Sequence, residues 1–151
     1  MKLIVFSDSH GLVAPMREII LRKKPDAVAH LGDYARDAEA LRDLFPALYS
    51  VCGNCDWGGD APLRAEFELG GVRVFACHGH RYGVKTDLDA LCNAGYFAGA
   101  GLVLFGHTHV PMQERIGEML VLNPGSARRS YAEIELEGGE IVSAEIKEME
   151  N

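Results

Sequence analysis

An α/β layered fold with a mixed sheet is the class this sequence predicts, on three observations. Short, almost wholly apolar runs recur along the chain and stop abruptly in polar residues, as strands buried on both faces do. Helical patterns separate several of them, and strand–helix–strand alternation marks the α/β class. Leu69-Gly70-Gly71-Val72 and Glu137-Gly138-Gly139-Glu140 read as two-residue hairpin turns, so some strands run antiparallel.

The apolar runs are Leu3 to Phe6, Ala27 to Ala29, Ala47 to Val51, Val72 to Cys77 and Leu102 to Phe105. Each is too short for a helix. Residues 13–23 predict a helix, with Pro15 tolerated in its first turn and Met16, Ile19 and Ile20 on one face. Residues 36–45 predict a second, grouping Leu41, Leu44 and Phe45. Residues 87–94 predict a third, with Thr86 and Asp89 at capping-box spacing. The last hairpin alternates Ile134 and Leu136 with Glu133, Glu135 and Glu137, which predicts a half-exposed outer pair whose glutamates face solvent.

Composition narrows the function classes. Of 151 residues, 48% are apolar and 25% charged, the balance of an ordinary soluble globular protein. That length predicts one domain, residues 1–151, burying roughly 70% of its unfolded surface without disulfide staples. Fifteen Lys and Arg against 22 Asp and Glu give a net charge of −7. Stable nucleic-acid binding is not expected from such a balance, because cations meeting phosphates supply most of that affinity. No apolar run nears the ~20 residues that cross a bilayer. Leu3 to Phe6 meets Asp8 too early for a secretory segment of about 7–15 apolar residues. A cytoplasmic location without membrane contact is therefore expected, with the four cysteines as free thiols.

All six histidines, His10, His30, His78, His80, His107 and His109, stand where an apolar run ends. Asp8, Asp33, Asp56 and Asn54 share those positions. In open α/β sheets ligands collect at the carboxyl ends of strands, so residues distant in sequence can converge there. Imidazoles with carboxylates suit Zn, Mn, Fe or Ni, whereas an all-oxygen set suits Mg or Ca. Asp8-x-His10 and His107-x-His109 have the spacing of side chains leaving one side of a pleated strand. Two such pairs plus three further candidates exceed what one tetrahedral ion can use. They suggest two ions sharing a bridging ligand, ~3.5–4 Å apart, an arrangement used in phosphoryl-ester hydrolysis.

The ordered set Asp8-x-His10, Gly32-Asp33, Gly53-Asn54-x-Asp56, His78 and Gly106-His107-x-His109 resembles the calcineurin-like metallophosphoesterases. It is most similar to their compact single-domain phosphodiesterase branch, which also contains a largely non-catalytic retromer subunit. The resemblance runs from Met1 to about Ser126 and includes Asn123-Pro124-Gly125-Ser126. It implies a four-layer αββα sandwich of two mixed sheets. It also implies metal ligation by Asp8, His10 and His109 at a first ion and by Asn54, His78 and His107 at a second, with Asp33 bridging. The implied cofactors are two divalent ions, Mn, Ni, Zn or Fe rather than Mg. The implied reaction is in-line attack on a small phosphate ester, most simply a phosphodiester, by a hydroxide between the metals. Asp33, Asn54 and His80 are the expected catalytic residues, His80 as a substrate contact two positions beyond His78.

Many members of that family carry His after Gly-Asn, in contact with the phosphoryl group or protonating the leaving oxygen; here the residue is Cys55. Substrates whose leaving group departs unassisted are then favoured. Blander readings hold elsewhere. His30 reads as a hydrogen-bonded core residue, Arg128 and Arg129 as solvated, and Trp57 as a loop anchor. Asp56 has three open roles: orienting His78, orienting His10, or capping a turn. Cys52-Gly53-Asn54-Cys55 has the redox spacing, but Asp56-Trp57-Gly58-Gly59 is a poor helix start, and a low-pKa dithiol needs one. The alternative from another class is a catalytically silent interaction scaffold of the same fold. Such descendants tend to lose metal-binding histidines, and all seven candidates are present here.

Overall fold

The computed structural model describes residues 1–42, 47–56 and 61–149. Ten strands form two five-stranded sheets. The first contains β1 (Lys2–Phe6), β2 (Ala27–His30), β3 (Leu48–Ser50), β9 (Ser130–Glu137) and β10 (Glu140–Glu148), in the order β10-β9-β1-β2-β3. The second contains β4 (Arg64–Leu69), β5 (Val72–Cys77), β6 (Leu102–Leu104), β7 (Met112–Ile116) and β8 (Met119–Asn123), in the order β4-β5-β6-β8-β7. Each sheet has a parallel trio: β1-β2-β3 carries the antiparallel β9–β10 hairpin on one side, and β5-β6-β8 is flanked by antiparallel β4 and β7. Both sheets are mixed, as the Gly-Gly turns predict.

Alternation along the strands builds the layers. Leu3 and Val5 of β1, Val74 and Ala76 of β5, and Leu102 and Leu104 of β6 point into one core between the sheets. Their neighbours Ile4 and Phe6 face Met16, Ile19 and Ile20 of α1 (Val13–Lys23) and Ala38 and Leu41 of α2 (Ala35–Arg42). Phe75 and Val103 face Leu91 of α3 (Asp89–Phe97) on the far side. Each central strand is apolar on both faces because each face meets a different core, which is why its sequence reads as a continuous run. The result is the four-layer αββα sandwich. Among the described residues, no helix is long and apolar enough to cross a membrane.

Several elements differ from the sequence reading. α2 begins at Ala35 and is described to Arg42, so Leu44 and Phe45 lie outside the described residues, as does Trp57. α3 starts at Asp89, not 87, and runs to Phe97. Thr86 does not cap it: the Thr86 and Asp87 N–H groups donate to the Gly83 carbonyl in a preceding turn, and Asp87 Oδ1 accepts the Asp89 N–H. The final hairpin is not wholly an outer pair. β9 lies between β1 and β10, its Ile134 and Leu136 are fully buried, and only β10 is an edge. The β7–β8 hairpin around Gly117 was not foreseen.

Candidate metal centre

The parallel strands end side by side, and their hydrogen-bond ladders run on into the loops that follow. The Asp8 N–H donates to the Gly32 carbonyl at 2.9 Å, and the Gly106 N–H donates to the His78 carbonyl at 2.8 Å. Asp8 and His10 lie beyond β1, and His107 and His109 beyond β6. The pleat is therefore not what aligns each pair, a correction to the strand-spacing expectation. Left-handed backbone does it: φ is +52° at Asp8, +47° at His10, +54° at Asp33, +68° at His107 and +62° at His109. Such angles are uncommon for residues with a Cβ and cost energy that surrounding structure must over-determine. Glycine is needed where the carboxylates pass close to backbone: a Cβ on Gly53 would collide with Asp33, and one on Gly106 with Ser7 and Asp8.

Asp8, His10, Asp33 and His109 each bring one ligand atom into a group spanning no more than 4.8 Å. Asp8 is aimed by its neighbours. Its Oδ2 accepts the Ser7 hydroxyl at 2.5 Å and the His107 N–H at 3.2 Å, which leaves Oδ1 facing His109 Nε2 at 3.1 Å. Asp33 Oδ1 accepts the Cys55 N–H at 2.9 Å. His78 adjoins this group: its Nε2 lies 3.1 Å from Asn54 Oδ1, 3.2 Å from His107 Nδ1 and 3.5 Å from Asp33 Oδ1. Its Nδ1 donates to the Leu31 carbonyl at 2.7 Å, which turns Nε2 into the cluster. The His80 ring lies at the margin, tilted against that of His78 with centroids 5.4 Å apart.

The electrostatics ask for a cation. Burial opposes a charge on His78, yet Asp33 and Asp8 outweigh it and raise the imidazole. Burial would raise Asp33, but hydrogen bonds from His78 and Cys55 hold it well below the usual carboxylate range. His107 is pushed down by burial, by His78 and by Lys85. Buried His10 Nε2 has no hydrogen-bond partner. An unpaired buried nitrogen beside crowded carboxylates fits a divalent ion, and so does the mixed imidazole, carboxylate and amide donor set.

Positioning groups surround the cluster. Asp56 takes the third of its open roles: it accepts the N–H groups of Asp33, Tyr34, Ala35 and Gly53 at 2.7–3.0 Å, capping α2 and tying two loops together. His30 is a buried core residue whose Nδ1 accepts the Gly32 N–H at 3.2 Å. Its Nε2 therefore donates to Ser9 Oγ, which donates to Asp37, and burial lowers His30 to about 4. Asn123 Nδ2 donates to the Gly106 carbonyl and to Thr108 Oγ1, and Ser126 Oγ donates to the Asp8 carbonyl. The Asn-Pro-Gly-Ser turn thus pins both His-bearing loops. Ser7 and Tyr34, whose ring lies 5.0 Å from His10, carried no sequence signal of their own. Cys55 is exposed, and burial with the Asp33 charge raises its thiol, so it is no activated thiolate.

A two-sheet α/β sandwich with carboxylates and imidazoles at the strand ends of both sheets defines a metallophosphoesterase scaffold. The chain belongs to the calcineurin-like phosphoesterase superfamily, whose domain description matches residues 1–147. It is 35% identical over 149 residues to "Probable metallophosphoesterase YsnB" of Bacillus subtilis, covering 91% of this chain and 85% of that protein. It is 31% identical over 153 residues to phosphodiesterase YfcE of Escherichia coli K12, covering 83% and 79%. The structure of Vps29 from Entamoeba histolytica complexed with zinc superposes with a TM-score of 0.81, covering 99% and 98% of the two chains. At 20% identity that likeness shows the fold alone.

Proposed function

We propose that residues 1–151 form one domain that hydrolyses phosphodiesters with two divalent ions. Asp8, His10 and His109 hold the first ion, Asn54, His78 and His107 the second, and Asp33 lies between. The observation that carries this reading is the convergence of Asp8, His10, Asp33 and His109 within 4.8 Å around a buried, unpartnered His10 nitrogen. The ions, when bound, supply Lewis acidity and a water nucleophile at neutral pH. The protein's part is to aim the ligands, through Ser7 on Asp8, the Leu31 carbonyl on His78 and Cys55 N–H on Asp33, and to place His80 against the substrate. Cys55, with its raised thiol, stands beside the leaving group without acting as its acid.

The test strips the protein of metal and adds Mn, Ni, Zn, Fe or Mg singly, with bis-p-nitrophenyl phosphate as substrate. Hydrolysis should be absent without metal and return with one or more of the first four. Full activity in excess chelator after verified metal removal overturns the reading. A folded, fully metallated protein that cleaves no phosphodiester supports instead the silent scaffold.

A further inference from the structure

Beside His78 lies a cavity of about 380 Å³ for which the metal chemistry has no use. Its apolar walls are Pro62, Leu63 and Tyr82, and Arg64, Arg81 and His80 bring polar groups to it. His80 joins this cavity to the cluster: its ring lies 5.4 Å from that of His78 and 6.2 Å from that of His107. His80 Nδ1 is buried without a hydrogen-bond partner, and a polar nitrogen kept from water and left unpaired is costly. An occupant that brings a polar atom to His80 would pair it.

The two arginines say what kind. Arg81 is exposed and forms no ion pair among the described residues. Arg64, with its side chain 58% exposed, comes no nearer than 3.9 Å to Glu66. Their guanidinium forks match carboxylate and phosphate oxygens in pairs. A further cavity, beside Thr108 and Val110, is lined by one lysine, Lys85, and one aspartate, Asp87, whose charges offset, and gives no reason to expect a charged occupant.

We infer that the cavity beside His78 binds the second arm of the phosphoester substrate, and that this arm is an organic group ending in an anion, carboxylate or phosphate. Arg81 and Arg64 read the anion, the apolar walls take the organic part, and His80 spans the gap between this arm and the scissile phosphorus. The inference rests on the phosphodiesterase reading and narrows its substrate class.

The test compares three p-nitrophenyl phosphodiesters whose second arm is phenyl, meta-carboxyphenyl or meta-phosphonophenyl. kcat/KM should be about tenfold higher with an acidic arm, the worth of one charge-assisted hydrogen bond. Which acidic arm gains more tells carboxylate from phosphate. Arg81→Met should bring that ratio towards one. Arg36→Met, which removes the same charge beside Tyr34, should leave the ratio as it is. Equal kcat/KM for all three arms, or a ratio that survives Arg81→Met and Arg64→Met together, overturns the proposal. If none is hydrolysed with any metal, the phosphodiesterase reading fails, and calorimetry with the corresponding phenyl and meta-carboxyphenyl phosphonates decides the subsite. Tighter binding of the acidic phosphonate, lost in Arg81→Met, upholds it; equal binding overturns it.

Discussion

Asp56 accepts the backbone N–H of Asp33 at 3.0 Å, so one aspartate sets the ground on which another stands. The same carboxylate caps α2 and holds Gly53, next to Asn54. Asp56→Ala leaves four amides without their acceptor and should cost about 3 kcal/mol, more than an ordinary N-cap. Asp56→Asn, which keeps one oxygen, should cost less. Urea unfolding of the metal-free variants measures both, and equal losses would show that the charge, not the retained oxygen, carries the cap.

Asp33 stands between the two halves of the cluster, in reach of His78 and within the group that includes Asp8. Asp33→Asn should lower activity more than Asn54→Ala, because on the two-ion proposal it removes a negative charge from between two cations rather than one donor from a single ion. Metal content of the purified variants reads this out directly. An Asp33→Asn protein that holds two ions and turns over normally refutes the bridging role.

On the proposed reading, Cys55 offers a raised thiol where a proton donor would assist departure of the leaving oxygen. Rates should therefore rise steeply as leaving-group pKa falls, with aryl diesters far ahead of alkyl ones. Cys55→His should flatten that dependence, by as much as ~10²–10⁴-fold for poor leaving groups. Cys55→Ser should change little. Loss of hydrolysis in a folded, metallated Cys55→Ser protein, with a reversible Cys52–Cys55 disulfide on thiol titration, would point to redox chemistry instead.

His30 supplies a pH signature. Burial lowers it from 6.5 to about 4. The unfolded chain takes up this proton near pH 6.5 and the native chain only near pH 4, so stability falls as pH drops through that window. The loss should reach about 3 kcal/mol below it. In metal-free protein, His30→Gln should flatten the slope of urea midpoint against pH between those limits. An unchanged slope assigns the effect to another group.

The sequence disclosed the centre of this fold better than its margins. β1, β2, β5 and β6 announce themselves because each is apolar on two faces, and α1 runs over the residues its Met16, Ile19, Ile20 face predicts. β7 is an exposed edge strand with charged side chains and carries no such mark. Thr86 misled because a turn closed on Gly83 competes with the capping box for its backbone. At the candidate site the residue types were visible, but the geometry was not. Asp and His rather than Gly occupy the left-handed positions, so nothing in their identity betrays the backbone they adopt. The roles of Asp56 and His30 needed partners 21 to 28 positions away, as with Ser9 and Asp37, beyond any local pattern.

Asp8 follows a strand of the first sheet and His109 a strand of the second, 101 positions apart in the chain, and their side chains meet at 3.1 Å. The cluster therefore sits astride the seam between the sheets, at one end of the apolar core that they share. An ion held there would act as a clasp across the sandwich, tying one sheet to the other. Amide exchange at the β1 and β6 ends should then slow when metal is added, which makes it a gauge of occupancy.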